Sequence, residues 1–153
     1  MDMDLKFSVS GRIAKPVAEV FEAVADPAKL SGYFTTGGAS ARLEPGATVM
    51  WDFHDFPGAF PVYVTEVVPN EKIVLQWDAD DPAAPEPYRT TVTFEFEALE
   101  DGRTLVRITE AGWRPSAEGL EATLNNCKGW TFVISAMKVY LEHGINLRDG
   151  MYK

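Results

Sequence analysis

The C-terminal part of the chain carries a long helical pattern of apolar residues. Between residues 116 and 143, apolar side chains recur every three or four positions, at Leu120, Leu124, Cys127, Trp130, Ile134, Met137 and Leu141. This spacing predicts one buried face of an α-helix, and Ser116 is a suitable N-cap residue. At 1.5 Å per residue such a helix would be about 40 Å long, so it needs a large surface to lie on.

A glycine divides this apolar stripe. The stripe centres on Leu120, Leu124 and Cys127 before Gly129, and on Trp130, Val133, Ile134 and Met137 after it. A glycine inside a helix costs about 1 kcal/mol relative to alanine. It is either a tolerated kink or a place where close backbone approach lets the two halves face different parts of a sheet. Phe132 and Val139 fall on the opposite side, as isolated surface residues or as a dimer contact.

Most of the remaining chain alternates between apolar and polar residues, with the period of β-strands. The expected order is a strand at residues 5–13, short helices at 17–24 and 28–33, a loop at 35–40, and then strands separated by turns at 57–58, 69–70, 78–87 and 101–102. This order predicts an α+β fold, in which a curved antiparallel sheet of about six to seven strands wraps around the C-terminal helix. The two short helices follow the first strand, and one domain is expected over residues 1–153.

The composition restricts the partners. The 153 residues carry a net charge of −9 without a basic cluster, which argues against nucleic acid and anionic membranes as partners. No apolar run approaches the ~20 residues that cross a bilayer, and the acidic N-terminus lacks an apolar signal sequence. The single cysteine, Cys127, cannot form an internal disulfide and is expected to be a small buried hydrophobic residue. These features fit a cytoplasmic protein.

Few residues carry recognisable catalytic chemistry. His54 lies beside Asp52 and Asp55, an arrangement suited to base catalysis, although its parity in the strand favours a solvated side chain. His143 falls at the end of the predicted helix, where a cation complements the helix dipole. Two distant histidines and one cysteine give no zinc pattern, and the sequence has no phosphate-binding or nucleotide-binding motif. Neither a metal nor a cofactor is therefore expected.

Glu110 is the most informative polar residue. It continues the parity of Val106 and Ile108, so it is expected to point inward, near the mouth of a space between sheet and helix. A carboxylate there must be paired, protonated or hydrated. It would bind a ligand hydroxyl or act as a general acid or base, unless the strand has ended and Glu110 reaches solvent or an arginine. Trp113, just beyond it, would cap this mouth or pack under the loop.

Several segments, taken in this order, resemble the START-like (helix-grip, SRPBCC) superfamily. Within it they are similar to the branch named after the activator of the ninety-kilodalton heat-shock chaperone's ATPase. The segments are PVAEVF at residues 16–21, VTEVVPNEKIVLQW at residues 64–77, residues 91–96, residues 104–112, and Gly129 with Trp130. The resemblance covers nearly the whole chain. It implies a sheet that grips the terminal helix around a cavity, in which members bind apolar molecules and a few catalyse reactions.

Three functions follow as hypotheses. The first is binding of a small apolar or amphipathic molecule in this cavity, between walls formed by Trp51, Phe53, Trp77, Phe94, Glu110, Trp113, Trp130, Ile134 and Met137. The alternative for these side chains is that they simply fill the core. The second function is an enzyme for an apolar substrate, such as a cyclase, dehydratase or hydrolase, with Glu110 as the acid or base. The third is an interaction module, including a regulator of a chaperone ATPase, with an exposed apolar patch.

Overall fold

The computed structural model describes residues 4–153 and shows, within them, seven β-strands and three α-helices. The helices are α1 (Val17–Ala25), α2 (Pro27–Leu30) and α3 (Ala117–His143). The strands are β1 (Leu5–Ile13), β2 (Gly38–Ala39), β3 (Thr48–Asp52), β4 (Phe60–Val68), β5 (Lys72–Asp78), β6 (Arg89–Ala98) and β7 (Thr104–Trp113). The predicted α+β class is confirmed, with two short helices after the first strand and one long helix at the end.

All seven strands belong to one antiparallel sheet in the order β1-β7-β6-β5-β4-β3-β2. Strands β2 to β7 follow one another as a meander, and β1 pairs with β7 at the far edge. In β6 the buried residues Val92, Phe94 and Phe96 alternate with more exposed ones, which is the period that predicted the strand. The predicted loop at residues 35–40 contains β2, because two residues are too few to show an alternating pattern.

Helix α3 begins and ends as the sequence predicts. Ser116 Oγ accepts a hydrogen bond from the Gly119 backbone N–H at 2.9 Å, which is the N-cap arrangement. Gly144 ends the helix in the left-handed conformation, with a φ of 69°. The helix packs chiefly on β1, where a Cβ at Gly11 would lie 2.8 Å from Cγ2 of Ile134. The glycine therefore allows the strand and the helix to approach closely.

The buried face of α3 differs from the prediction in its first half. Leu120 and Leu124 are 41% and 62% exposed, and Cys127 is half-buried, so the stripe through these residues is wrong. The buried residues form one continuous face, namely Gly119, Ala122, Thr123, Trp130, Val133, Ile134, Ala136 and Met137. Space is limited at its start, since a Cβ at Gly119 would lie 1.9 Å from the carbonyl oxygen of Arg114. Side-chain size, not hydropathy, selects the inner face there.

Gly129 does not mark a close backbone approach. A Cβ built at Gly129 meets no atom within 4 Å, so that interpretation is wrong. Phe132 and Val139, expected on the exposed side of the helix, are both half-buried. The Phe132 ring packs against Tyr152, with centroids 5.4 Å apart. The C-terminal tail, residues 145–153, thus covers Phe132, a side chain that the sequence pattern placed in solvent.

Candidate functional site

Glu110 lies in the layer between the sheet and α3. Strand β7 continues past it to Trp113, so Glu110 keeps the inward parity of Val106 and Ile108. Its exposed fraction is 0%, and the predicted inward orientation is confirmed. The alternative, in which the strand ends first and the carboxylate reaches solvent, is wrong.

Four side chains donate hydrogen bonds to the Glu110 carboxylate. Oε1 accepts from Trp130 Nε1 at 2.8 Å and from Asn126 Nδ2 at 3.0 Å. Oε2 accepts from Trp77 Nε1 at 2.8 Å and from Thr90 Oγ1 at 2.6 Å, with Asn126 Nδ2 at 3.1 Å. None of these donors is charged. A buried acidic group is therefore satisfied by neutral donors alone, without an arginine or lysine partner.

The strand register explains why these donors converge. Trp77 in β5 lies directly opposite Thr90 of β6, and Thr90 lies diagonally across from Glu110 of β7. Directly paired residues, and residues two positions from a paired residue, lie on the same face of the sheet. The side chains of Trp77, Thr90 and Glu110 therefore point to the same place. Asn126 and Trp130, four residues apart on α3, reach the same place from the helix.

A pocket of about 360 Å³ adjoins this hydrogen-bond network. The α3 pocket, as we call it, is lined by Phe34, Phe56, Trp77, Asn125, Asn126, Lys128, Gly129, Trp130, Phe132, Val133, Arg148 and Tyr152. A second pocket of about 370 Å³ is lined by Phe60, Pro61, Trp77, Asp78, Asp80 and Asn126. Trp77 and Asn126 border both, so the two pockets meet at this pair.

Three of the four donors to Glu110 are walls of the α3 pocket. These are Trp77, Asn126 and Trp130, whereas Glu110 itself does not line the pocket. The two indole rings lie with centroids 5.6 Å apart and planes tilted by 33°. Each ring is held by its N–H on a different oxygen of the same carboxylate. Glu110 does not line the pocket, but its hydrogen bonds hold Trp77 and Trp130, which do.

The residues predicted as cavity walls occupy different places. Trp77 and Trp130 line the α3 pocket. Four others fill the core without bordering it, namely Trp51, Phe94, Ile134 and Met137. Unlike the indoles of the Glu110 network, the buried Nε1 of Trp51 has no hydrogen-bond partner among residues 4–153. Much of the space between the sheet and α3 is thus occupied by side chains, and the α3 pocket lies beside this filled core.

Phe53 and Trp113 are not among the side chains that line the α3 pocket. Phe53 is half-buried, and the Arg148 guanidinium carbon lies 4.4 Å from its ring centroid. Trp113 is buried and stacks on Phe7 of β1, with centroids 5.7 Å apart. Together with Leu5 and with Ala122 of α3, it packs near the edge of the sheet formed by β1 and β7, whereas Phe53 follows β3 near the other edge.

The C-terminal tail supplies a part of the pocket that sequence reasoning missed. Arg148 forms a bidentate ion pair with Asp55, at 2.9 Å for Nε to Oδ2 and 3.0 Å for Nη2 to Oδ1. The two side chains are 9% and 0% exposed. This pair fastens the tail to the loop after β3 and brings Tyr152 over Phe132. An arginine and an aspartate 93 residues apart give no local signal of such a contact.

The two histidines lie at exposed positions outside the Glu110 network. His54 is exposed, as its parity predicted, and its Nδ1 lies 2.5 Å from Thr36 Oγ1. His143 is exposed in the last turn of α3. Within residues 4–153, His, Cys, Asp and Glu side chains form no group of three or more that could hold a metal ion. In the same part of the chain, no helix is both long and apolar enough to cross a membrane.

The acidic loop between β5 and β6 is anchored by Asp81. Its Oδ2 accepts from the Tyr88 hydroxyl at 2.7 Å, and Arg114 donates to both carboxylate oxygens at 3.1 Å. Hydrogen bonds from Arg114 and then from Tyr88 lower the pKa of Asp81 below its usual value. The loop that borders the second pocket is thereby tied to the segment before α3.

Asp81 is expected to contribute to acid unfolding. Because its pKa in the folded protein lies below the unfolded value of about 3.9, its stabilisation is present above about pH 4 and is lost as the pH falls through the folded pKa. Asp81→Asn should therefore be less stable than the wild type at neutral pH, and the difference should shrink below about pH 4. Urea unfolding of both proteins across this range measures the effect, and a pH-independent difference would contradict it.

The antiparallel sheet and the long C-terminal helix that packs on it form the α+β helix-grip arrangement. The sequence model of the family described as "Activator of Hsp90 ATPase homolog 1-like protein" matches residues 14–142. The chain belongs to this family, and the resemblance seen in the sequence is confirmed. No curated protein matches the chain.

Solved structures show the same fold. The protein SSP2350 from Staphylococcus saprophyticus is 29% identical, with a TM-score of 0.75 over 95% of this chain and 96% of that one. The Aha1 dimer from Colwellia psychrerythraea is 23% identical, with a TM-score of 0.71 over 91% and 97% of the two chains. DynU16, from the dynemicin biosynthetic locus, is 23% identical, with a TM-score of 0.76 over 93% of this chain and 49% of that one. At 23% identity, the Colwellia protein and DynU16 are similar to this chain in fold.

Proposed function

We propose that this protein binds a small apolar or amphipathic molecule in the α3 pocket. The observation that carries the proposal is the use of a buried acidic residue to fix three pocket walls. Burying Glu110 is costly unless every lone pair finds a donor, and the donors it holds are Trp77, Asn126 and Trp130. A network of this kind pre-organises a binding surface, which lowers the entropy lost when a ligand binds.

The polar contact of the pocket follows from the same network. Asn126 directs its amide nitrogen to both oxygens of Glu110, because a carboxylate accepts hydrogen bonds and does not donate them. Its amide oxygen receives no hydrogen bond from any residue in the range 4–153. We expect this oxygen to accept a hydroxyl or N–H of the ligand, while the aromatic walls cover an apolar body.

Gly129 offers a way to fill the pocket without touching the core. It lines the α3 pocket, and a Cβ there would meet no atom within 4 Å. Gly129→Leu should place a side chain in the pocket and lower the affinity for a bound molecule at least tenfold. Helix propensity favours the change by up to about 1 kcal/mol, so the protein should not lose stability. Calorimetric titration with 1-naphthaleneacetamide and 1-naphthaleneacetate measures the affinity.

Gly129→Ala is the matched control. It should raise the free energy of unfolding by up to about 1 kcal/mol while adding only one methyl group to the pocket, so most of the affinity should remain. Binding that survives unchanged in Gly129→Leu would place the ligand elsewhere. Absence of binding by the wild-type protein across these probes and their decyl analogues, decanamide and decanoate, would argue against the proposal.

Catalysis by Glu110 receives less support from the geometry. Both of its oxygens already accept hydrogen bonds, and the residue has no exposed surface. To take a proton from a substrate it would have to give up donors that hold the pocket walls. We therefore assign Glu110 as a positioning residue for the binding site and not as the acid or base of a reaction.

We also propose that the protein self-associates through the exposed start of α3. Leu120 and Leu124, four residues apart, are 41% and 62% exposed and form an apolar stripe on one side of the helix. The related Colwellia protein is a dimer. Light scattering is expected to give twice the chain mass of 16.9 kDa, and Leu124→Glu is expected to give the monomer mass. Equal masses for the two proteins would contradict this contact.

A further inference from the structure

The α3 pocket is lined by positively charged side chains, although the chain as a whole is acidic. The whole chain has a net charge of −9, yet among residues 4–153 the charged side chains that line this pocket are Lys128 and Arg148, without a carboxylate. Its remaining walls are mainly aromatic. Such a lining favours a ligand that combines an apolar body with a negative group.

Arg148 presents an unused donor at this pocket. The residue is only 7% exposed. Its Nε and Nη2 bind Asp55, whereas its Nη1 donates to no residue between positions 4 and 153. The guanidinium group is planar with five N–H donors, so a fork held by one carboxylate still offers its other edge to a second acceptor. The ion pair thus fixes the guanidinium in place while leaving Nη1 free.

Asp55 does not cancel the preference for an anion at this edge. Its side chain is 0% exposed and is not among the pocket walls, so it lies behind the guanidinium and does not face the ligand. Lys128, exposed at the rim of the pocket, adds a second positive charge on the approach to it. A charge-assisted hydrogen bond from a buried arginine is about twice as strong as one between neutral groups.

We infer that the ligand class of the α3 pocket is an amphipathic monocarboxylate. Its carboxylate binds Arg148 Nη1, and its apolar body lies against Trp77, Trp130 and Phe132. This inference rests on the proposed binding function. Arg148 lies beyond residues 14–142, the part matched by the family model, so the carboxylate contact belongs to the C-terminal tail of this chain.

A matched pair of probes separates the charge from the apolar body. 1-Naphthaleneacetate and the neutral 1-naphthaleneacetamide have nearly the same size and shape. We expect the wild-type protein to bind the carboxylate about tenfold more tightly than the amide, as measured by calorimetric titration at low salt. In Asp55→Leu/Arg148→Met, which replaces the buried pair by apolar groups of similar volume, the two affinities should become nearly equal.

The outcomes distinguish this inference from the proposed function. Equal affinity of the wild-type protein for the two probes would leave the binding function standing and overturn the carboxylate assignment. No binding of either probe, nor of decanamide and decanoate, would remove both. A preference that persists in the double variant but disappears in Lys128→Met would assign the anion to the rim lysine and also overturn the inference.

A complex of the wild-type protein gives a test that depends on no variant. A crystal structure with 1-naphthaleneacetate should place a carboxylate oxygen about 2.7–2.9 Å from Arg148 Nη1. A carboxylate directed to solvent, with the ring in the pocket, would overturn the assignment even if the affinities agreed with it.

Discussion

Replacement of Glu110 by leucine is expected to lower the free energy of unfolding by about 2–6 kcal/mol. The estimate counts the two buried donors, Thr90 and Trp130, at about 1–3 kcal/mol for each unsatisfied buried group. Trp77 and Asn126 are half-buried and can turn towards solvent. Leucine would also abolish the restraint on the pocket walls, so probe affinity should fall along with stability. Urea unfolding and calorimetric titration of the same variant measure the two effects.

Glu110→Gln is expected to destabilise the protein less than Glu110→Leu. Each carboxylate oxygen accepts from a different indole N–H, Oε2 from Trp77 and Oε1 from Trp130. A glutamine has one oxygen and one NH₂ group, so one indole loses its acceptor whichever way the amide is turned. We expect a loss of about 1–3 kcal/mol, with the half-buried Trp77 as the indole that is released. Its fluorescence should then show increased exposure to water.

Glu97→Gln serves as the control, since Glu97 is an exposed residue of β6. It should change stability by less than about 0.5 kcal/mol. If Glu110→Leu were as stable as the wild type, the hydrogen-bond network would contribute nothing measurable to the fold. If Glu110→Gln kept full stability and probe affinity, the role of Glu110 in positioning the pocket walls would be wrong.

The alternating pattern identified Glu110 but not the donors that satisfy it. Parity along one strand tells which way a side chain points, and Val106 and Ile108 were enough to place Glu110 inside. Thr90 and Asn126 depend on the register between strands and on the rotation of α3, neither of which is encoded locally. The aromatic residues Trp77 and Trp130 were recognised as inward-facing from their own spacing.

Helix α3 shows where hydropathy alone misleads. Leu120 and Leu124 are the most apolar residues of its first half, yet they face solvent because the inner side is too close to Arg114 for large side chains. The small residues Gly119 and Ala122 mark the side of the helix that approaches its neighbours closely. Asn126 continues this inner face, and with the correct rotation it would have been matched to Glu110.

The C-terminal tail has neither helical nor strand periodicity, so its position could not be predicted. Residues 145–153 are fixed by one long-range ion pair and by aromatic contacts of Tyr152 with Phe132 and Phe56. These contacts join side chains that no helical or strand pattern places in the core. The wall of the α3 pocket formed by Arg148 and Tyr152 is therefore a tertiary feature, which only the folded chain brings together.

Removal of Asp55 is expected to release this tail. Asp55→Ala leaves Arg148 without its partner, and loss of one member of a buried ion pair costs about 3–5 kcal/mol. Residues 145–153 contain neither helix nor strand, so the cost should be met by local opening of this segment and not by global unfolding. We expect amide hydrogen exchange in residues 145–152 to become at least about a hundredfold faster, since each 1.4 kcal/mol is a factor of ten.

Two comparisons decide whether the ion pair is the cause. Asp149→Asn changes an exposed charge in the same tail and should leave exchange in residues 145–152 unchanged. Asp55→Leu/Arg148→Met should restore most of the protection, because a well-packed apolar pair can replace a buried ion pair. Exchange in the tail that is equally slow in Asp55→Ala and the wild type would show that the aromatic contacts of Tyr152 hold the tail without the ion pair.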